Sequence, residues 1–587
     1  YAALDTEELG SVYESLLELH PVLGTQGSRP KFRLETRGGE RRTTGSHYTP
    51  PELVSPLIQH ALEPVLQERL SRGRTRAEKE AAILGMKVLD PACGSGHFLL
   101  AAARRLGKEL ARVRTGEDEP APARLREAIR DVIAHCIYGV DKNPLAVELA
   151  RVALWLESHA PDRPLTFLDH HIRCGDSLVG LADLTALEAG IPDAAYQPLR
   201  PDQRTIATRV RKRNAIERAQ PLFQHSYVTQ PLERVAATLR DLDALPEDTL
   251  EQVHAKSAAY QRLMGSPAFD RLRLAADAWT VAFFQPLTPH PRPAAPDTPS
   301  PLSQHWERGE GVGGSEERAI TTDAVWHALA GDPDDPQLLA DAQALAAAQR
   351  FFHWALEFAE VFAAGGFDVI LGNPPFMGGL KISGNFGEPY RKWLEFAYQP
   401  FGGTADLCAA FFRRAFGLLR PGGRLGLVAT NTIGQGDTRE SGLKVILAQG
   451  GRIPFAQRFV KWPGQASVEV NLVVLQKPPA AEAGGQPAPG VLDGQPVPAI
   501  SSRLDADPEA EPVRLRQNEG KAFIGDYVRG IGFVLEAAEA ERLLAKDPRN
   551  ADCLFPYLNG EDLNSHPEQQ PSRWVICFHD WSLERAK

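Results

Sequence analysis

The sequence predicts an α/β fold assembled from βαβ units, and three stretches carry the prediction. Phe367-Asp368-Val369-Ile370-Leu371-Gly372 reads as a short buried strand, and Asn373-Pro374-Pro375-Phe376 takes the chain out of the sheet. Lys87-Val88-Leu89-Asp90 reads as a second short strand that passes through a small-residue loop into a helix starting near Gly96. Ile137-Tyr138-Gly139-Val140-Asp141 is a third, reached after a single helix over 123–135. Short apolar strands alternating with helical stretches pair in parallel.

Size and composition bound what the chain does. Its 587 residues suffice for several domains and a large core. A net charge of −10 excludes a global basic field, although a local basic cleft is enough for phosphate contacts. The six cysteines are scattered without a Cys-x-x-Cys, so neither a disulfide framework nor a zinc module is indicated, and a reducing cytoplasm fits. No apolar run approaches membrane-spanning length, since 407–416 is broken by Arg413-Arg414. There is no signal-peptide pattern, and a chain that opens at Tyr1 and stops at Lys587 just after a strand-like run reads as a fragment.

Taken in order, residues 4–19 carry apolar positions near helical spacing, and 24–46 read as a basic, Gly-rich loop. Thr49 suits an N-cap and Pro50 a first helical position, for a helix over about 51–72. After the strand ending at Asp141 come a helix over 143–157, short extended pieces at 166–169 and 172–174, and Gly175-Asp176-Ser177-Leu178. His170, His171 and Cys174 invite a metal reading, but no fourth ligand accompanies them, so no metal is expected. Residues 181–350 break the alternation and read as a mostly helical insertion, with a Pro-rich stretch over 286–303. A helix over 349–362 leads into the strand at Phe367. Residues 377–387 read as flexible, a helix runs from Asp406 to Leu419, and strands follow over 424–430, 452–460 and 467–476. Trp462 sits in the turn Lys461-Trp462-Pro463-Gly464. The expected domains are 1–44, 45–480 with the insertion, a linker over 481–512, and a new unit from 513 with a helix over 536–545 and a strand over 573–578.

Three of the strand ends suggest chemistry directly. Glycines at 94 and 96 let backbone approach a ligand closely, and the helix N-terminus behind them offers free N–H groups. Asp141, ending a second strand after one crossover helix, is placed to accept hydrogen bonds from ribose hydroxyls. In Asn373-Pro374-Pro375-Phe376 the prolines fix two φ angles. The Asn373 side-chain oxygen and the Pro374 carbonyl are then held as a rigid acceptor pair for a planar amino group, with an aromatic face beside them.

This constellation resembles the DNA adenine-N6 methyltransferases of restriction and phage-defence systems, such as the PglX, DISARM and type IIG methylases. His47-Tyr48-Thr49-Pro50 resembles their N-terminal cofactor motif, Asp90-Pro91-Ala92-Cys93-Gly94-Ser95-Gly96 their glycine loop, and Asp141-Lys142 their ribose-binding acid. Gly175-Asp176-Ser177 resembles the adenine-ring contact and Asn373 to Phe376 the catalytic turn. Trp462 stands where the family usually has Phe, and the insertion is unusually long.

The resemblance implies a Rossmann-like S-adenosylmethionine-dependent methyltransferase fold with a helical insertion, ending in the start of a target-recognition domain. It implies cofactor binding by Tyr48, Thr49, Pro50, Asp90, Pro91, Cys93, Gly94, Gly96, Asp141, Lys142, Asp176 and Ser177. Catalysis falls to Asn373, Pro374, Pro375 and Phe376, and Phe376 with Trp462 would stack on a flipped base. Double-stranded DNA is the implied partner, together with other subunits of a defence system, and no membrane. Cytosine N4, RNA, protein glutamine and a non-catalytic DNA-binding subunit remain open. The Tyr-Thr-Pro motif and the extra C-terminal region favour duplex DNA, and Asn at the first position of the turn favours adenine.

Overall fold

The computed structural model describes residues 49–160, 162–219, 226–288, 318–463, 469–479, 489–509, 515–521, 528 and 531–586, and the backbone alone of 19–26 and 29–36. It divides into two compact units, residues 1–509 and 510–587.

The first unit is organised on a nine-stranded sheet. Its strands are β3 (Val88–Asp90), β4 (Ile137–Asp141), β5 (Ile172–Cys174), β6 (Phe367–Gly372), β7 (Leu419–Thr430), β8 (Arg452–Lys461), β9 (Glu469–Gln476), β10 (Gly490–Leu492) and β11 (Gln495–Val497). A separate hairpin of β1 (Leu19–Gln26) and β2 (Arg29–Thr36) precedes them. The sheet order is β11-β10-β8-β9-β7-β6-β3-β4-β5. From β3 the chain moves outward through β4 to β5, all parallel, then returns to lay β6 on the other side of β3. β7 continues parallel to β6, and β9 enters antiparallel between β7 and β8. The order reverses between β3 and β6, and at such a switch point the strand C-termini open into a ligand crevice. This is the expected Rossmann-like methyltransferase architecture.

Strand alternation feeds two cores. Val88, Val369, Leu371 and Val428 pack on one face, under helices α1 (Pro51–Leu57), α2 (Glu63–Arg72), α4 (His97–Thr115), α5 (Pro122–Cys136) and α6 (Pro144–Glu157), with α3 (Arg76–Leu84) beside them. Leu89, Ile370, Leu425 and Leu427 pack on the other, against Trp354, Phe358 and Phe412. Successive side chains point to opposite faces of a strand, so the central strands β3 and β6 are buried on both.

Several local expectations change. Residues 19–26 and 29–36 pair as a hairpin where a loop was expected from 24, and residues 37–46 of that expected loop lie outside the described residues; the alternation Lys31-Phe32-Arg33-Leu34 is the hairpin's signal in the sequence. Residues 4–18 of the expected first helix lie outside the described residues. The helix over 51–72 is interrupted by a π turn at Ile58–Leu62. Pro64 has no N–H for the His60 carbonyl, which instead accepts from Arg424 Nη1 at 3.0 Å. No strand forms at 166–169.

The insertion is helical as expected, with α7 (Arg204–Arg218), α8 (Ser226–Asp243), α9 (Leu250–Met264), α10 (Pro267–Val281), α11 (Thr322–Ala330) and α12 (Pro336–Gln349). The single helix expected over 349–362 is absent. Arg350 adopts a left-handed φ of 59°, Phe351 bridges to Asp176, and two short turns at Trp354–Glu357 and Ala359–Ala363 follow. The stretch expected to be flexible over 377–387 contains α13 (Gly379–Phe386), followed by α14 (Glu388–Ala397). The helix α15 (Leu407–Leu418) runs straight into β7, whose pairing with β6 is irregular near Pro421-Gly422-Gly423. The expected linker over 481–512 supplies β10 and β11, which extend the sheet edge. The second unit has a three-stranded antiparallel sheet of β12 (Val534–Glu536), β14 (Arg573–Ile576) and β13 (Leu554–Tyr557), with helix Ala537–Lys546 packed through Leu535, Ala540 and Leu554.

Candidate active site

The end of β6 is pressed against the end of β3. A Cβ on Gly372 would lie 2.6 Å from Asp90 Oδ1, so only glycine lets the strand ends close to this distance. Gly372→Ala is expected to cost about 1–3 kcal/mol of stability, as overpacking does, and to displace the turn that follows. A melting curve superimposing on wild type, with unchanged cofactor binding, would contradict the tight contact.

Beyond Gly372, Asn373 Nδ2 donates to Thr49 Oγ1 at 3.2 Å. Asn373 Oδ1 is buried and has no partner. An unpaired buried acceptor costs about 1–3 kcal/mol, so this oxygen stands ready for a donor from outside the chain. The turn is fixed at its far end. Met377 N donates to Asp406 Oδ1 at 3.4 Å, and Leu407 N to the Met377 carbonyl at 2.9 Å. Thr49 was expected to cap the helix over 51–72; Pro50 occupies that position without a side-chain cap, and the Thr49 hydroxyl serves Asn373 instead. Tyr48 lies outside the described residues.

Across β3, Asp141 ends β4 and holds the glycine loop. Its Oδ2 accepts from Gly94 N at 2.9 Å and its Oδ1 from Asn143 N at 2.7 Å. Gly94 has φ of 51°, and no atom lies within 4 Å of where its Cβ would sit, so the loop backbone faces open space. Gly96, with φ of 89°, caps α4. The Cys93 side chain turns under the sheet, 4% exposed, where burial and then the Asp141 and Asp90 carboxylates push its thiol well up. Asp90 accepts from Ala92 N at 2.9 Å. Burial raises Asp90 well above the ordinary carboxylate value, with Asp141 adding to the rise. Burial also raises Asp141, opposed by its two backbone hydrogen bonds and by Arg350.

The turn after β5 is fully engaged. Asp176 accepts from Lys142 Nζ at 2.7 Å, from Leu178 N at 3.0 Å and from Tyr390 Oη at 3.4 Å. Lys142 Nζ lies 5.0 Å from the Phe386 ring centroid and 5.2 Å from that of Tyr390, and these two rings stack at 4.7 Å. Ser177 donates to the Pro91 carbonyl at 2.5 Å, which ties this turn to the glycine loop. Arg350 donates to the Lys142 carbonyl. The sequence reading missed Arg350, Phe386 and Tyr390. The four-residue spacing of the two aromatics was a usable signal, whereas nothing local marked Arg350.

On the other side of Asn373, Phe376 and Trp462 are both partly buried against the same core face. Between their strands the rim carries Asn431, whose Nδ2 donates to Glu469 Oε2 at 3.4 Å and whose Oδ1 is buried without a partner. His170 and His171 do not meet Cys174. They meet Asp243 of α8, with Nε2 atoms 3.0 and 3.2 Å from one Asp243 oxygen, while Lys87 Nζ stands 3.3 Å from the other. Three ligand-type atoms thus lie within 4.8 Å of one another. A lysine ammonium fills the fourth side, so the group is accounted for as an ion-pair network that docks the insertion.

Two family models match parts of the chain, one across β3 to β5 and the other from within the insertion through β6 and β7. The one described as "MmeI, DNA-methyltransferase domain" matches residues 67–173, and "Eco57I restriction-modification methylase" matches residues 307–449. A putative type II restriction enzyme and methyltransferase of Methanocaldococcus jannaschii is 23% identical over 471 residues, 74% of this chain and 34% of that protein. The adenine-specific methyltransferase PglX of Streptomyces coelicolor is 35% identical over 184 residues, 30% of this chain and 14% of that protein. The chain therefore spans about a third of the first relative's length and less of the second's. Among solved structures, the type IIL restriction-modification enzyme MmeI in complex with DNA aligns with a TM-score of 0.43 at 14% identity, covering 100% of this chain and 55% of that one.

Proposed function

We propose that this chain, which matches restriction-modification methylase models over residues 67–173 and 307–449, is the catalytic part of a site-specific DNA methyltransferase. It moves the methyl group of S-adenosylmethionine to adenine N6 of a flipped-out base, in host-DNA protection within a restriction or phage-defence system. The observation that carries the reading is the Asn373 oxygen, buried without a partner at the end of β6 and aligned by Thr49. Asn at this position and the adenine-specific relative support adenine over cytosine.

The residues present fit the cofactor. The open face of Gly94 accommodates a ligand against backbone, and Asp141 ends its strand where ribose hydroxyls would bind. S-adenosylmethionine supplies a methyl group already activated on a sulfonium.

The chain's own task is to make an aromatic amine nucleophilic. Its lone pair is delocalised into the ring until the nitrogen becomes tetrahedral. Asn373 Oδ1 and the Pro374 carbonyl accept its two hydrogens, and these fixed dipoles stabilise the positive charge that develops on nitrogen. With the amino group so held, its nitrogen pair would take the methyl group as the carbon–sulfur bond breaks with its electrons staying on sulfur, and one N–H proton would leave to solvent. Phe376 and Trp462 hold the base by stacking.

Stacking on an aromatic is worth about 1–3 kcal/mol per base. Trp462→Ala should lower DNA affinity and methylation together and leave cofactor binding alone. With 2-aminopurine at the target adenine, the wild type should give a weak fluorescence rise and Trp462→Ala a strong one. Equal signals from both folded proteins would remove Trp462 from the base.

The function as a whole is tested with tritiated S-adenosylmethionine and DNA, RNA or protein as acceptor. Tritium recovered from digested DNA as N6-methyladenine is the expected result. Label on N4-methylcytosine, RNA or glutamine reassigns the acceptor, and label on none overturns the enzyme.

A further inference from the structure

The helical insertion contains one helix whose charge differs in kind from every helix around it. Between Arg204 and Arg218, α7 carries Arg204, Arg209, Arg211, Lys212, Arg213 and Arg218 against the single acid Glu217, in a chain whose net charge is −10. The helix is amphipathic. Ile206, Ala207, Val210, Asn214 and Glu217 are buried, and Arg204, Arg211 and Lys212 stand on the exposed side.

A run of basic residues on a helix is ordinarily a solvated face with acids near at hand, as α4 illustrates. There Arg104 pairs with Glu157 at 2.9 Å, Arg105 with Glu63 at 2.7 Å and Arg114 with Glu80 at 2.7 Å. On α7, Arg213 pairs with Glu217 at 2.7 Å and Arg218 with Asp193 at 3.0 Å. Arg204, Arg211 and Lys212 have no carboxylate partner among the described residues. Three uncompensated cations on one short surface repel one another, and the complementary partner is a linear array of negative charge.

The helix is also tied to the catalytic end of the sheet. Lys392 of α14, which follows the catalytic turn by one helix, donates to the Ala195 and Gln197 carbonyls at 2.7 and 2.8 Å. Tyr196 between them donates to Asn214 on the buried side of α7 at 3.0 Å, and Asn214 donates back to the Ile191 carbonyl at 2.8 Å. A rigid, hydrogen-bonded path thus runs from α14 to the basic helix.

We propose that α7 is a phosphate-binding surface through which the insertion holds the backbone of duplex DNA while the base is at the catalytic turn. The inference rests on the DNA methyltransferase reading above and gives the insertion a role in it. Arg204 and Arg211 stand two helical turns apart, about 10.5 Å along the axis. That span covers roughly three phosphates of one strand at about 3.4 Å each. Contacts of this kind position the duplex without reading sequence.

The test is the triple variant Arg204→Gln/Arg211→Gln/Lys212→Gln in the full chain, bound to a fluorescein-labelled duplex of mixed sequence between 50 and 200 mM salt (roughly the range over which phosphate contacts dominate). Each lost phosphate contact should flatten the log–log salt dependence of affinity by about 0.9, so a slope shallower by about 2–3 is expected. The Michaelis constant for DNA should rise while the turnover number, melting temperature and cofactor affinity stay at wild-type values. A slope equal to wild type, in a protein that still methylates DNA, overturns this inference and leaves the enzyme assignment standing; a surface built for an acidic protein would give that result. A wild type that neither binds nor methylates DNA overturns both, and the tritium assay alone identifies that case.

Discussion

Asn373→Ala should abolish methyl transfer while cofactor affinity stays at the wild-type value. The substitution removes one of two acceptors for the amino group and touches neither the glycine loop nor Asp141. Removing a single preorganised transition-state partner costs about 10²–10³ in turnover number in enzymes of other kinds. The ground state should suffer little. Asn373 Oδ1 already lacks a partner and its Nδ2 makes one 3.2 Å bond to Thr49, so truncation relieves a buried acceptor while freeing a hydroxyl that can turn elsewhere. Melting temperature is therefore expected within a few degrees of wild type. Single-turnover methylation and calorimetric cofactor titration on the same preparation separate the two effects. Normal turnover in the variant would show that the chemistry lies elsewhere, and joint loss of cofactor binding would show that Asn373 holds the site together rather than acting in the transition state.

The parts of this site legible in the sequence share one property: their signals are local and strong. β6 is a run of buried apolar residues closed by Gly372 and two prolines, and the loop after β3 is punctuated by glycines that the structure uses at positive φ. Asp141 was legible because a helical crossover between parallel strands fixes the end of the sheet at which the next strand finishes. What was not legible depends on partners far away in the chain. Arg350 sits at a left-handed break that tertiary contacts with Asp176 and Lys142 impose, overriding the continuous helix that 349–362 suggests. The Gly-rich stretch at 377–387 becomes α13 because Ile382 is buried and Phe386 stacks on Tyr390. Residues 490–497 look like linker until β8 offers an open edge for β10 to pair with. Thr49 has the correct side chain for a cap, but Asn373, 324 residues away, makes the competing offer.

On the proposed reading Asp141 serves both the fold and the ligand, and its substitution is the second large effect expected. Both of its oxygens accept backbone hydrogen bonds, from Gly94 at 2.9 Å and Asn143 at 2.7 Å. Each oxygen retains a second lone pair, to which the proposed reading assigns the two ribose hydroxyls. Burial raises its pKa, yet the two N–H groups and Arg350 act against that rise and favour the ionised acceptor. Asp141→Ala removes a pair of charge-assisted hydrogen bonds, worth about 2–3 kcal/mol. Cofactor affinity should fall roughly 30- to 150-fold. Part of that loss would come from the glycine loop, because Gly94 N loses its acceptor. Asp141→Asn divides the two contributions: its carboxamide oxygen can still hold one backbone N–H, so the loop stays close to its place while the charge is gone. Calorimetry should rank wild type tightest, then Asp141→Asn, then Asp141→Ala, with S-adenosylhomocysteine following the same order. Equal affinity across the three folded proteins would take Asp141 out of the cofactor site, and equal loss in both variants would mean that the charge alone carries the interaction.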